Sequence, residues 1–440
     1  MNRLLRRLGT RDAALIVMGG IVGSGIFMTP SVVAQRVHST ALIAAAWVAG
    51  ALVVMLGAYL FAELAARRPA NGGFYAYLRD AFHPVVGFSY GWTLLLVSQS
   101  GGAAAAAVTF ANYFSAVSGS HIDLRLLAAL AIAFFTIVNM LGVRAGTSMQ
   151  NLLMVLKIVA IGGLVVLGLI APHASTSAPA VPLATTGLLA ALGYALVPVM
   201  FSYDGYQTAN FMTAELHEPQ RTLPRGLVWG VLLVVVLYLA VNAVDLRVLG
   251  AAGLAATSTP ASAVASAALG PVGERVMAAI VVLSALGFLS NQILTSPRIY
   301  FQMAEDGVFF KSLAWIDRRT HVPSIAIALQ GIAALLISLF NGYGQIVNAV
   351  SMVDFVFFGL GAVALFIFRA RDRGTANERT LATMPGHPWT TLFYLLVFVA
   401  LIVNMTVSAP RDSLISLGVL LSSVPIYAFF AIRRSRTTPS

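Results

Sequence analysis

The sequence predicts an all-α integral membrane protein of twelve transmembrane helices, and three observations predict it. Apolar residues make up 59% of the 440-residue chain and charged residues only 10%, whereas an ordinary soluble domain carries about 25% charged residues. The apolar residues also cluster into stretches long enough to cross a bilayer, which takes about 20 residues of helix. Finally, two of these stretches are broken at matching places, by Gly23-Ser24-Gly25 and by Phe201-Ser202-Tyr203-Asp204-Gly205. Paired breaks of this kind point to a transporter, because unwound backbone at mid-membrane offers free N–H and C=O groups to a ligand.

In chain order the spans fall near residues 13–34, 40–66, 84–117, 123–143, 148–171, 187–214, 225–249, 274–304, 322–341, 345–369, 389–408 and 411–432. They fill residues 1–440 as a single membrane domain with no room for a soluble one. The basic start, Met1 to Arg11, resembles a signal-peptide n-region, but the apolar run after it is long and lacks a small-residue cleavage pattern, so it reads as the first span. An even number of spans puts both ends on one side. That side would hold Arg3, Arg6, Arg7, Arg11, Arg67, Arg68, Arg144, Arg319, Arg369, Arg379 and Arg436 among others, against Arg36, Arg125, Arg247, Arg275 and Arg411 opposite. By the positive-inside rule both termini are expected in the cytoplasm. The net charge of +11 then reflects topology and an anionic lipid leaflet. A nucleic-acid partner has no soluble basic domain to bind.

Other features narrow the function by exclusion. The chain has no cysteine, which removes a disulfide framework and cysteine-ligated metals. His38, His83, His121, His173, His217, His321 and His387 fall in loops or at helix ends with no metal spacing, so no metal or cofactor is expected. Gly87-Phe88-Ser89-Tyr90-Gly91 matches a nucleophile elbow in letters only, since it opens a membrane helix. Ala103 to Ala107 reads as a helix-packing face. Ala171 to Thr186 reads as an outer loop, and Ala251 to Leu269 as an outer stretch able to form a short helix over the entrance.

The first break sets two glycines around Ser24, each costing about 1 kcal/mol relative to alanine in a straight helix. Freed N–H groups there, the Ser24 hydroxyl and the positive end of the following half-helix suit a carboxylate. The alternative is a glycine-rich packing seam. At the second break an aromatic, a hydroxyl and an acid sit in mid-span, and unwound carbonyls suit an ammonium group. Asp204 is read three ways, as ligand to that ammonium, as proton acceptor, or as cap on freed N–H groups. Lys157 lies about 14 Å into the fifth span at the helical rise. An intramembrane lysine at that depth is a functional candidate by default. Its cation is placed to replace sodium between helices by donating to carbonyls at the first break, with Gln150 and Met154 on its face; otherwise it lines a water-filled vestibule.

At these residues the chain resembles the amino acid, polyamine and organocation transporter superfamily. It is most similar to the L-type amino acid transporters, the light subunits of heteromeric exchangers and their bacterial relatives. The likeness runs through Gly23-Ser24-Gly25-Ile26-Phe27, then Glu63-Leu64 with Asn71-Gly72-Gly73-Phe74-Tyr75-Ala76-Tyr77, then Val143-Arg144, Gln150-Asn151 and Lys157. It continues in Phe201 to Tyr206, Asn210-Phe211, Thr213, Glu215-Leu216, Pro219, Arg221 and Leu223-Pro224, in Thr295-Ser296 before Arg298, and in Val347-Asn348 with Ser351 and Gly359-Leu360.

The resemblance implies a five-plus-five inverted repeat, about residues 13–171 and 187–369, with two added helices in 389–432. It implies an L-amino acid substrate whose carboxylate meets Ser24, Gly25 and Ile26, and whose amino group meets carbonyls of Phe201, Ser202 and Asp204, with Gly23, Tyr203 and Gly205 completing the two breaks as further substrate-binding residues. It further implies that Phe201 closes over the substrate as a gate and that Lys157 occupies a sodium position. Gln99, Ser100, Ser290, Asn291, Ser351 and Asp354 are further pocket candidates. Tyr206 stands where many relatives have Trp, a change expected to reshape the side-chain pocket. Without cysteine there is no disulfide-linked heavy subunit. The expected activity is sodium-independent exchange of L-amino acids across the cytoplasmic (inner) membrane by alternating access, the alternative being proton-coupled movement of amino acids or polyamines through Asp204 or Asp354. A receptor, a channel or an intramembrane enzyme is disfavoured, for the sequence shows no charged filter ring, no nucleophile with its base and no metal set.

Overall fold

The computed structural model describes residues 6–118, 122–172, 188–340, 343–375, 382–408 and 410–435, without the side chains of 188–190, 340, 343–351, 412 and 434–435. Most of the expected outer loop at 171–186, together with His121, His173, Arg3, Arg379, Arg436 and the side chain of Ser351, lies outside the described residues.

The chain opens with α1 (Thr10–Ile21) and α2 (Gly25–Val37), two halves bent by 44° at the first break. Then follow α3 (Thr40–Arg67) and the short α4 (Phe74–Ala81). Residues Pro84–Ser118 run as one long rod, α5 (Pro84–Thr93), a π-helical turn Leu94–Ser98 and α6 (Gln99–Ser118). After α7 (Leu124–Met140) and α8 (Val143–Ile170), α9 (Leu188–Ser202) stops at the second break. The continuation, Tyr206–Glu215, is a 3-10 helix rather than an α-helix. Its polar residues explain the tighter winding: Thr208, Asn210 and Thr213 each donate a side-chain hydrogen bond to the carbonyl three residues back. Such bonds support the i, i+3 geometry that otherwise limits 3-10 runs to a few residues.

The second half contains α10 (Pro219–Ala256), which kinks at Gly250, and α11 (Pro260–Leu269). Next come α12 (Pro271–Thr295), α13 (Pro297–Glu305), α14 (Ser324–Phe340), α15 (Tyr343–Asp372), α16 (Trp389–Ser408) and α17 (Pro410–Ser435). Eight helices among the described residues are long and apolar enough to cross a membrane, and the bent α1–α2 pair makes a ninth. The stretches expected at 123–143 and 322–341 form apolar helices of 17 residues each, α7 and α14. Part of the stretch expected at 251–269 forms α11, which packs on α12, α8, α10 and α2.

The core surrounds the two breaks. α10 packs on α1, α2 and α3, and α12 packs on α1, α6 and α8, so the broken segments are enclosed by intact helices. The rod Pro84–Ser118 is 78% buried over its apolar window, whereas α16 and α17 are only 28% and 17% buried. The last two helices therefore lie at the periphery, turning residues such as Leu396, Val403 and Leu421 outward.

One end of the bundle is held by buried ion pairs. Glu63 accepts from Arg67, Arg369 and the Met384 amide, while Asp372 accepts from Arg67 and Arg68. Glu215 at the end of the 3-10 helix pairs with buried Arg298 at 2.8 Å. The N-terminal segment is strapped to the same place, with the Arg7 and Leu8 amides donating to the Glu215 carbonyl and the His217 amide to that of Leu8. Breaking a buried pair by removing one partner costs about 3–5 kcal/mol, so these contacts fix where the broken segments begin and end.

Candidate functional site

The glycines at the first break are needed for close approach and not for unusual dihedral angles. Neither Gly23 nor Gly25 has a positive φ. A Cβ on Gly23 would lie 3.2 Å from the Phe288 ring, and one on Gly25 would lie 2.9 Å from Ser202 Oγ and 3.3 Å from Ser202 Cα. The two breaks therefore touch at Gly25 and Ser202. Gly205 is constrained both ways: its φ is +101° and a Cβ would sit 2.1 Å from the Gly20 carbonyl oxygen. Only glycine meets both conditions.

Breaking α1 from α2 frees carbonyls, and side chains from three helices claim them. Tyr238 on α10 donates to the Ile21 carbonyl (3.2 Å), Lys157 on α8 to that of Val22 (2.5 Å), and Ser284 on α12 to that of Gly23 (3.0 Å). Lys157 is 1% exposed, and a Cβ on Gly287 would come within 2.5 Å of its Cε, so that glycine makes room for the lysine stem. Freed carbonyls in an apolar interior need such partners. The N–H groups of Gly25 and Ile26, in the first turn of α2, have no carbonyl four residues back within their own helix. They mark the positive end of that helix dipole, while α9 ends at Ser202 with its last carbonyls and the negative end of its dipole.

Between these ends lies a cavity with about 70 Å³ for the centres of water-sized spheres, lined by Gly20, Ile21, Gly23, Ser24, Gly25, Phe201, Ser202, Asp204, Gly205 and Gln207 from the broken segments. Gln99, Asp354, Phe288 and Gln292 also line it, with Ser98 at the π-helical turn and small residues of α6 and α12. A water needs about 10–15 Å³ on that measure, so the space matches several waters or one small zwitterion. Ser202 Oγ donates to Thr29 on α2 and joins the two breaks. Asp204 accepts from the Gly205 amide at 2.6 Å, as the capping reading expects, and its carboxyl group also meets Asp354. Asp354 accepts from Ser98 at 2.7 Å. No Lys, Arg or His lines this cavity.

Several candidates lie outside the lining. Ile26 is buried, and Tyr203 packs edge-on against Trp47 beside Tyr238. Asn291 donates to the Ile16 carbonyl, Ser100 to Gln330 on α14, and Ser290 is buried away from the cavity. Ser351 lies on α15, its side chain outside the described ones. Lys157 sits behind the break rather than in the cavity. Sequence reasoning missed Ser98, Gln207, Phe288 and Gln292. A π-helical turn inserts an extra residue per turn and rotates the rest of the helix, so straight-helix spacing cannot say which of Ser98, Gln99 and Ser100 faces inward. Among the described residues no group of three or more metal-ligating side chains occurs.

Tyr206, the residue expected to reshape the side-chain pocket, stands outside the cavity lining. Its ring packs against Phe61 and Phe358, its hydroxyl bonds that of Tyr394 at 2.5 Å, and it does not line the cavity. Tyr206→Phe is therefore expected to cost about 1 kcal/mol of stability through that hydroxyl pair while leaving the order of substrate preference unchanged. Thermal unfolding alongside competition by a panel of amino acids checks both halves.

Comparison with known proteins gives a consistent picture. The family model described as amino acid permease matches residues 8–430. The serine/threonine exchanger SteT of Bacillus subtilis is 26% identical over 439 residues, covering 97% of this chain and 97% of the relative. The b(0,+)-type amino acid transporter 1 of Mus musculus is 28% identical over 377 residues, covering 83% of this chain and 76% of the relative. The large neutral amino acids transporter small subunit 2 of Homo sapiens is 27% identical over 439 residues, with 96% and 80% covered.

Proposed function

Because this chain belongs to the amino acid permease family, we propose that it carries L-amino acids across the cytoplasmic membrane by sodium-independent exchange. It is a transporter and not an enzyme, and with no cysteine it forms no disulfide to a heavy subunit. The proposed architecture has twelve spans, counting the two broken segments and the shorter α7 and α14 as one span each. In it a five-plus-five inverted repeat is followed by α16 and α17, and both termini are cytoplasmic. Alternating access then rocks one set of helices against the other around the breaks.

The observation that carries this reading is the Lys157 contact with the Val22 carbonyl. An amino group on a freed carbonyl between helices does the work a bound sodium ion would do there, so no sodium is needed to hold the break. In the proposed site the substrate carboxylate meets the N–H groups of Gly25 and Ile26 with Gly23 and Ser24 alongside. The ammonium meets the end of α9 at Phe201, Ser202 and Asp204, and the Phe201 ring closes over the ligand. The names of the relatives, an exchanger and amino acid transporters, support an amino acid as the substrate class.

A second reading is favoured by the meeting of Asp204 and Asp354. Two carboxyl groups this close repel when both are ionised and attract when they share a proton, so the pair is the proton site this second reading would use. Uptake of labelled L-amino acids into proteoliposomes distinguishes the two. Exchange predicts strong stimulation by unlabelled amino acid inside, with no demand for sodium or a pH gradient, and Asp354→Asn then retains exchange. Uptake into empty vesicles driven only by a pH gradient, and lost in Asp354→Asn, establishes proton coupling instead.

A further inference from the structure

A second cavity lies away from the broken helices, at the end of the bundle where the N-terminal strap is held. It is lined by Arg7, Arg144, Arg319 and His321 with Thr320, Leu141, Gly142, Val143 and Ala145, and offers about 140 Å³ for the centres of water-sized spheres. No acidic side chain lines it. Arg7, Arg144 and Arg319 come from three separate segments, the strap, the start of α8 and the loop between α13 and α14. Among the described residues none of the three guanidinium groups forms an ion pair. Three like charges converge here and none is in salt-bridge contact with a carboxylate, Asp317 acting on Arg319 only at longer range, whereas Arg67, Arg68, Arg298 and Arg369 all have carboxylate partners.

The remaining groups also point to an anion. α8, a 28-residue helix, begins after Gly142 with no side-chain cap on its first-turn amides, and residues of that first turn line the cavity. Gly142 has φ +132°, a conformation that favours glycine, and lies beside the Thr320 carbonyl, so the two loops are neighbours here. His321 Nδ1 is a buried atom with no hydrogen-bond partner, and the buried Thr320 Oγ1 lies beside the Asp317 carboxylate. Asp317, the acid of that loop, accepts from the Arg319 and Thr320 amides at 2.8 Å, and these two donors hold its carboxyl below the usual carboxylate range. It organises the loop and lies outside the lining.

We propose that this cleft binds a phosphate-ester anion, which ties the N-terminal strap to the loops before α8 and before α14. Guanidinium groups, helix-start amides and hydroxyls are the donors such an anion takes. The same chemistry is offered by an anionic lipid headgroup and by a soluble phosphate, and Leu141 at the rim, 65% exposed, provides apolar surface for an acyl chain. Because the strap bonds Glu215 and Leu8 bonds His217, an anion here would hold the far end of the second broken segment.

The test is equilibrium binding of dioctanoyl phosphatidic acid and, separately, of inorganic phosphate to the full chain in a neutral detergent. The variants are Arg144→Gln/Arg319→Gln and a control pair of equal charge change outside the cleft, Lys311→Gln/Arg371→Gln. Saturable binding weakened on the order of tenfold or more in the cleft pair and unchanged in the control pair supports the site. Binding of the lipid alone identifies a headgroup site, and binding of phosphate at comparable affinity identifies a soluble ligand. If neither probe saturates, or both pairs weaken it equally, the proposal is overturned and only the overall positive charge attracts anions. Thr320→Val, which removes one donor and no charge, should weaken binding by a smaller factor, and an unchanged affinity there together with a misfolded arginine pair also counts against the cleft.

Discussion

Replacing Lys157 with alanine is expected to cut amino acid uptake by at least tenfold while leaving the order of substrate preference unchanged. The substitution removes the donor from the Val22 carbonyl, and a buried acceptor left without a partner costs about 1–3 kcal/mol. A tenfold change in an equilibrium corresponds to about 1.4 kcal/mol, so even the middle of that range suffices. The lysine stem also vacates space beside Gly287, adding a cavity cost of similar size. Because Lys157 does not line the substrate cavity, the loss should appear in rate more than in selectivity. Uptake in proteoliposomes with and without sodium is the measurement. Recovery in sodium would mean that the ion fills the vacated position. Wild-type rates in sodium-free buffer would reduce Lys157 to a bystander in a polar vestibule.

Gly25→Val should abolish uptake, with a loss on the order of a hundredfold, while the protein still inserts and extracts as a folded species. Even a single Cβ at this position meets Ser202 Oγ at 2.9 Å and the Ser202 backbone at 3.3 Å, and valine adds two more methyl groups. Overpacking of this kind costs about 1–3 kcal/mol, here set against the contact between the two breaks. It also covers the α2 amides proposed to take the carboxylate. Size-exclusion behaviour and thermal unfolding establish folding, and ligand binding then separates a blocked site from a lost structure. Normal uptake by this variant would place the substrate elsewhere.

Much of the molecule was legible in the sequence because membrane insertion is governed by composition and length. A run of about 20 apolar residues must form its hydrogen bonds within itself, so helices such as α3, α8 and α16 follow from their residues alone. The two breaks were equally legible, since glycine clusters in mid-span disfavour continuous helix. Their chemistry was less so. The polar pattern of 206–215 reads as the second half of a span, yet its side chains bond three residues back and wind it as a 3-10 helix. Tyr206 sits beside the break in sequence, but its ring turns toward Phe61 and Tyr394 and away from the cavity.

What the sequence determined by itself was the class of protein, the places where helices must stop and the presence of a lysine deep within an apolar span. Tertiary structure decided which polar groups share a cavity and which carbonyl receives which donor. The meeting of Asp204 with Asp354 joins residues 150 positions apart, and Lys157 reaches Val22 across a separation of 135. No local rule couples them. A helix presents a different face with every residue of rotation, and in a membrane that rotation is set by packing against neighbours, here through glycines such as Gly205 and Gly287 that permit backbone and lysine to approach.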